Sequence, residues 1–324
     1  MRSAVCRVCH STATTVAGVV EYLAGFRCTI VDCDECGCRT SAETADVHAE
    51  LHVTPAISYY ATYRALFDEC RTLFAAGDRA GIDRLLRQQR KYAFVLDRLS
   101  GLADGANVLE WGCSRGYLAA AALLSGKRVL GVDVAPAAVA AASDAFGDHF
   151  VTDDSRRIAA AAPFDAIWHV GVIGCVPDPL GLTVRLLSLL KPGGTLFFNA
   201  PNRDALHQRR QLWLDSAPPP EVITLFPHGF WRNRIAGAAV SEVSEMVSAA
   251  ESTVKTLRRW FGPQWRRPSP HSRAAEVGYR WEQPSPNLAW RSIDAVAAKL
   301  SAVSGIGLGS WPEEFGLYVA ITKP

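Results

Sequence analysis

No stretch of this 324-residue chain approaches the roughly 20 apolar residues that span a bilayer, so a membrane-embedded helix is not expected. A secretory leader is not expected either, because the opening MRSAVCRVCHSTATTV reaches cysteine and charge at once. Charge of one sign is scarce: 34 Lys and Arg face 32 Asp and Glu, for a net charge of +2. That balance excludes a wide electrostatic footprint for nucleic acid, though not a local one. Beyond residue 38 only Cys70, Cys113 and Cys175 remain of nine cysteines. Cys70 falls in a helical pattern and Cys113 in a glycine turn. Cys175 has no basic residue beside it in sequence, so a small buried residue is favoured over a reactive thiol. With 49% hydrophobic and 20% charged residues, the composition fits one main globular domain plus an appendage, with the cytoplasm as the expected location.

The other six cysteines crowd into the head of the chain, at Cys6, Cys9, Cys28, Cys33, Cys36 and Cys38. Cys6-x-x-Cys9 and Cys33-x-x-Cys36 read as two knuckles, with Gly37 supplying the turn after the second. Each knuckle offers two thiolates to one ion, and four close a tetrahedral zinc shell with no open position, which is a structural site. The spacer contains the strand-like VAGVVEYLAGFRC. Cys28 and Cys38 are spare thiols and His10 is a rival ligand. Residues 1–45 are expected to form this ribbon.

The densest signal lies further on, in NVLEWGCSRG at 107–116, followed by RVLGVD at 128–133. A short β-type run ends in an acid, turns on glycine and opens a helix, and a second strand then closes on Asp133. That order suits a nucleoside cofactor on the first βαβ unit of a doubly wound sheet. Gly112 and Gly116 let the backbone turn tightly and approach a ligand. Asp133, 21 residues after Gly112, can accept from both ribose hydroxyls. Glu110 decides between cofactors: it would repel a pyrophosphate but attract the ammonium of an amino-acid moiety. The cofactor expected is S-adenosylmethionine (SAM), not NAD.

With these residues the chain resembles the class I SAM-dependent methyltransferases, and the likeness runs through 107–202. Asp153 precedes the strand FDAIWHV at 164–170 as the family's adenine-reading aspartate precedes its "FD" strand. VIGCVPDP at 172–179 resembles the family segment "VLEHLPDP", and LLSLLKPGGTLFFNAPN at 186–202 its helix, "LKPGG" turn and fifth strand. The resemblance implies a Rossmann-like α/β sheet of seven strands with an antiparallel last strand. Its cofactor contacts would be Glu110, Gly112, Cys113, Gly116, Asp133, Val134, Asp153, Asp154 and Val170. The middle glycine of the family loop is Ser114 here, a small residue with which binding is expected to survive. Some members, including sugar C-methyltransferases and their relatives, carry a similar zinc ribbon.

Around this centre, residues 46–100 read as a linker and two or three amphipathic helices, interrupted at Gly77 and Gly81, that form a lid. In similar methyltransferases a tyrosine like Tyr59 or Tyr60 lies near the acceptor. The proline-rich 203–233 suggests a substrate-side loop. A helix over 236–250 and a strand over 252–261 follow, then an insert near 261–312 carrying Arg266, Arg267 and Arg273, then the closing strand within 315–324. The SAM-binding domain is thus placed at 101–324.

An oxygen or carbon acceptor needs a base for its proton. Both histidines that the family pattern supplies are replaced, one by the pair Gly174-Cys175 and the other by Val222, while Glu221 is kept. Glu221 and His228 are therefore the candidate bases, with Tyr60 next in line. His169 reads as a core histidine with satisfied nitrogens. The reading favoured is a methyltransferase for a small-molecule acceptor such as a sugar nucleotide or natural-product intermediate, with nucleic acid and membrane not expected as partners. The alternatives are an RNA methyltransferase and a non-catalytic SAM-binding protein with the ribbon as a docking module. The sequence leaves the oligomeric state open.

Overall fold

The computed structural model describes residues 5–22, 26–42, 64–152, 155–207, 212–214, 219, 221–244 and 316–324. Tyr59, Tyr60, Asp153, Asp154, the strand expected at 252–261 and the insert near 261–312 with its three arginines lie outside the described residues.

The head folds as a hairpin and a short third strand: β1 (Thr14–Tyr22), β2 (Phe26–Cys33) and β3 (Arg39–Ser41). The strand-like spacer between the knuckles is this hairpin. Three helices follow, α1 (Arg64–Ala75), α2 (Arg79–Leu86) and α3 (Arg90–Ser100). Gly77 does break the chain, at φ +67°. Gly81 does not. It sits inside α2, donating its N–H to the N-cap Asp78 at 2.8 Å, and a Cβ there would meet that carboxylate. Close approach, rather than helix breaking, explains the glycine.

The main domain runs β4 (Asn107–Trp111), α4 (Tyr117–Leu124), β5 (Arg128–Val132), α5 (Pro136–Phe146), β6 (Phe150–Val151), α6 (Ser155–Ala161), β7 (Phe164–His169), α7 (Pro179–Ser188) and β8 (Leu190–Pro201). After β8 come α8 (Asp204–His207), β9 (Thr224–Leu225), α9 (Phe230–Arg234), β10 (Ala239–Ser244) and β11 (Gly316–Thr322).

Seven strands form one sheet in the order β10-β11-β8-β7-β4-β5-β6. β4, β5, β6, β7 and β8 pair in parallel, and β11 runs against β8 and β10. Parallel strands covered on both faces need apolar residues on both, and β4 and β5 are buried over four consecutive positions each. One face packs Leu109, Ile167, Phe198 and Val319 against α6 and α7. The other packs Val108, Trp168 and Phe197 against α4 and α5 and against Phe67, Ile82, Leu96 and Leu99 of α1–α3. α4 (YLAAAALL) is apolar all round because the sheet covers one side and α1–α3 the other. The described part of the expected lid is therefore a packed layer, which touches the turn after β4 where Phe67 lies under the Arg115 guanidinium.

One expected element is wrong. The helix over 236–250 is, at Ala239–Ser244, strand β10. Gly237 turns the chain at φ +75°, and β10 pairs with β11 from Ala239↔Thr322 to Ser244↔Leu317. The strand covers what would be a bare edge of β11, a demand of the sheet that local pattern does not announce. The segment 203–233, expected as a substrate-side loop, is more structured than a loop, since it contains α8, β9 and most of α9. Among the described residues no helix is long and apolar enough to cross a membrane.

Candidate cofactor cleft and metal centre

β4 is the point where the strand order reverses, with β5 and β6 on one side and β7 and β8 on the other, which makes its carboxyl end the position where doubly wound sheets take their ligands. The turn there is tight: Gly112 and Cys113 both donate to Val132 O, at 2.7 and 2.9 Å. Gly112 has φ +71°, and a Cβ on it would lie 2.3 Å from Val172. Gly116, at φ +77°, is the N-cap of α4 and has no side chain to cap with. Glu110 does this work from the neighbouring strand, its Oε2 accepting the Ala119 amide at 2.9 Å.

Asp133 closes the other side. Its Oδ2 accepts the Ser114 N–H at 2.7 Å and its Oδ1 that of Ala135 at 2.9 Å. Ser114 has a left-handed φ of +51°, the region that favours glycine, and that amide bond accompanies it. Each Asp133 oxygen accepts one of these protein donors and has a second lone pair to offer, which fits a pair of ribose hydroxyls.

Both acids are buried, at 4% and 7% exposure. Burial pushes the Glu110 carboxyl up to about 8, against the pull of the nearby Trp168 indole and the Ala119 amide, and the Asp133 charge adds to the rise. Burial raises Asp133 too, while the amides of Ala135, Ser114 and Val134 hold it down. A cation bound here would restore both ionised forms. Cys113 is buried with its thiol beside Gly131, Val134 is exposed at the end of β5, and Val170 is half-buried after β7. The structure thus gathers Glu110, Gly112, Cys113, Gly116 and Asp133 at one turn, with Val134 at its rim.

The candidate bases are not brought together. Ile223 and Thr224 both donate to Gly174 O, at 2.8 and 3.1 Å, which lays 222–224 along the segment after β7. Cys175 packs against the apolar cluster that contains Val222. The two positions that lack the family's histidines are therefore neighbours in space, and half-buried Glu221 opens the same segment. His228 is exposed, with its Nε2 3.4 Å from Glu242 O on β10. Three strand spacings separate β10 from β7, a lateral offset of about 14 Å. Glu242, which sequence reasoning missed, fixes the turn after His228: its carboxylate accepts the N–H groups of Gly229 and of Arg232, the latter at 2.9 Å. His169 is core as expected but not satisfied. It is fully buried, stacks on Phe198 at 4.5 Å, and neither ring nitrogen has a hydrogen-bond partner. Burial lowers it to about 3, so it stays neutral near pH 7.

In the ribbon, Cys6, Cys9, Cys33 and Cys36 place their sulfurs within 4.8 Å of one another. Cys6 to Cys36 is 3.7 Å and Cys9 to Cys33 is 3.5 Å. A tetrahedron of thiolates about 2.3 Å from zinc has edges of about 3.8 Å, so the donor set fits that ion. The Cys36 amide points at Cys33 Sγ, 3.5 Å away. His10 is exposed and Cys28 belongs to a separate cluster. Cys38 is fully buried beside Cys36.

The sheet order, with its antiparallel last strands, is that of a Rossmann-like methyltransferase fold. Residues 85–238 match the family described as "Methyltransferase domain". Among relatives, the chain is 40% identical over 106 residues to a ubiquinone biosynthesis O-methyltransferase of Xanthomonas campestris, covering 31% of this chain and 44% of that one. To the enzyme of the same name from Sodalis glossinidius it is 31% identical over 144 residues, covering 42% and 55%. The chain thus spans about half the length of the curated relatives it matches. Among solved structures it is similar to a complex of the Haloferax volcanii Trm112 methyltransferase activator with a putative methyltransferase, at 18% identity and a TM-score of 0.43, covering 79% of this chain and 98% of that one.

Proposed function

We propose that the protein is a SAM-dependent methyltransferase acting on a small molecule, with a structural zinc ion in its ribbon. The observation that carries the reading is the paired cradle of Glu110 and Asp133 around the turn 112–116. In it Asp133 holds the ribose hydroxyls, Glu110 faces the ammonium of the methionine moiety, and the exposed Val134 side chain gives the adenine an apolar surface. Bound SAM supplies a sulfonium methyl, and the residues of the chain position the acceptor and exclude water. The acceptor enters between the end of β7 and the segment 221–226. Glu221 is the base that takes the acceptor's proton, supported by its place two residues before Ile223, whose N–H bonds to Gly174 O, whereas the ring of His228 lies against the far edge strand. Cys6, Cys9, Cys33 and Cys36 hold zinc with no open position, so the metal shapes the ribbon and takes no part in the transfer.

The small-molecule relatives and the net charge of +2 favour a small acceptor over RNA. Incubation with methyl-labelled SAM and separate small-molecule and RNA fractions of a host extract tests this. Label in the small-molecule fraction supports the proposal, and label confined to RNA replaces the acceptor class. Binding of SAM with label in neither fraction would favour a non-catalytic protein.

A further inference from the structure

The ribbon does not end with β3. Its sheet runs β1-β2-β3-β9, and β9 belongs to the segment after β8, so a strand of the main domain completes the metal module. Arg39 pairs with Leu225 and Thr40 with Thr224, and the Ser41 N–H donates to Ile223 O at 3.1 Å. A strand of two residues has no stability of its own, so the position of β9 is set by what grips it. On one side the grip is β3. On the other it is the end of the seven-stranded sheet, where Ile223 and Thr224 bond to Gly174 and the Phe226 N–H donates to Pro201 O at 2.9 Å.

Side chains repeat the grip. Asp32 of β2 takes a bidentate bond from Arg39, at 2.8 and 2.7 Å, and reaches Arg203 at 3.4 Å. The knuckle turn at Gly37, φ +72°, leaves room for Pro227, which a Cβ would meet at 3.1 Å. Arg234 of α9 donates to Glu35 O at 3.3 Å. Cys6, Cys33 and Cys36 are buried in the same cluster as Phe226, Phe230, Trp231 and Ile173. The metal ligands are thus part of the packing beneath the acceptor-side segment.

We infer that the ribbon metal sets the position of residues 221–231, making the ribbon a wall of the acceptor site rather than a separate docking module. This rests on the proposed zinc site and goes beyond it. A ribbon of some forty residues is too small to fold on its own apolar core, so metal binding supplies its folding energy. Loss of the ion releases β3, and β9 loses one of its two holds. The cofactor cradle is built from β4, β5 and α4, whose hydrogen bonds run within the main domain at Val132, Ala119, Ser114 and Ala135, so SAM binding survives.

The test compares metal-loaded full-length protein with protein stripped by a chelator, and both with Ser41→Pro. That variant keeps all four cysteines and removes the hydrogen bond from β3 to Ile223. Metal content, amide hydrogen exchange and SAM calorimetry are read on each. Stripping should speed exchange at 222–226 and 230–234 by about tenfold or more while the SAM Kd moves less than about twofold. Ser41→Pro should keep its zinc and lose protection at 222–226. Zinc that is present but can be removed without changing exchange at 222–226 overturns the inference and leaves the zinc site standing. Unchanged protection in zinc-loaded Ser41→Pro overturns the transmission through β3. Protein purified without metal overturns the zinc site and this inference together.

Discussion

The Ser114 amide donates to Asp133 at 2.7 Å, so the turn after β4 is closed onto the end of β5 by the same carboxylate that we propose for the ribose hydroxyls. Glu110 has a parallel double role, capping α4 through Ala119 at 2.9 Å while standing as the carboxyl proposed to face the cofactor's ammonium. In both cases a group read from sequence as a ligand contact also holds the site's backbone.

Glu110 makes the cleft sensitive to pH. Its carboxyl is raised from 4.5 to about 8 in the fold, so the stability linked to its protonated form is present below the unfolded value. That contribution is lost as pH rises through about 8. Without cofactor, thermal stability should fall between pH 5 and pH 9, and Glu110→Gln should flatten most of the slope. The remainder belongs to Asp133, which is raised by the same cause, and to buried His169, whose lowering to about 3 works the other way and adds stability as pH rises through about 6.5. SAM should bind more tightly as pH rises from about 6 to about 7.5, below the range in which its own α-ammonium titrates, and Glu110→Gln should lose most of that dependence. Identical slopes in parent and variant would remove Glu110 from this role.

Metal analysis should find about one zinc per chain. Cys33→Ser should lower the melting temperature by about 5–10 °C, the range for a few kcal/mol in a chain of this size. SAM affinity should stay within about twofold. Equal stability of parent and metal-free protein would show that the site is not structural.

Much of this architecture is legible in the sequence because it rests on short-range spacing. The run from Asn107 to Asp133 encodes strand, turn, helix and strand within one βαβ unit, and the two cysteine pairs fix their own knuckles. What escapes is long-range. Nothing near Thr224 says that it will pair with Thr40, and nothing near Val240 and Val243 says that β11 needs an edge partner. Helical periodicity over 236–250 was a weaker constraint than that pairing. Gly81 misleads for a related reason, since its role is to admit the Asp78 side chain, a contact that only the folded turn creates. His169 likewise reads as satisfied until Phe198 and the closed sheet show that no partner reaches it.

Glu221 and His228 separate by placement, and kinetics can separate them too. With an acceptor identified by label transfer, Glu221→Gln should slow single-turnover transfer by about 10²–10⁴-fold, the usual contribution of a general base. His228→Ala should stay near the parent rate, because its ring lies 3.4 Å from Glu242 O on β10. SAM affinity should hold in both. A slow His228→Ala beside a normal Glu221→Gln would exchange their roles.

The most direct measurement is calorimetric titration of SAM into the parent and into Asp133→Ala, with folding of the variant checked by circular dichroism. Removing a buried, charged acceptor of two ribose hydroxyls should weaken binding by about 1–3 kcal/mol, roughly 5- to 150-fold in Kd. An unchanged Kd in a folded variant would contradict the placement of the cofactor at the carboxyl ends of β4 and β5, and with it the account of this protein as a SAM-dependent methyltransferase.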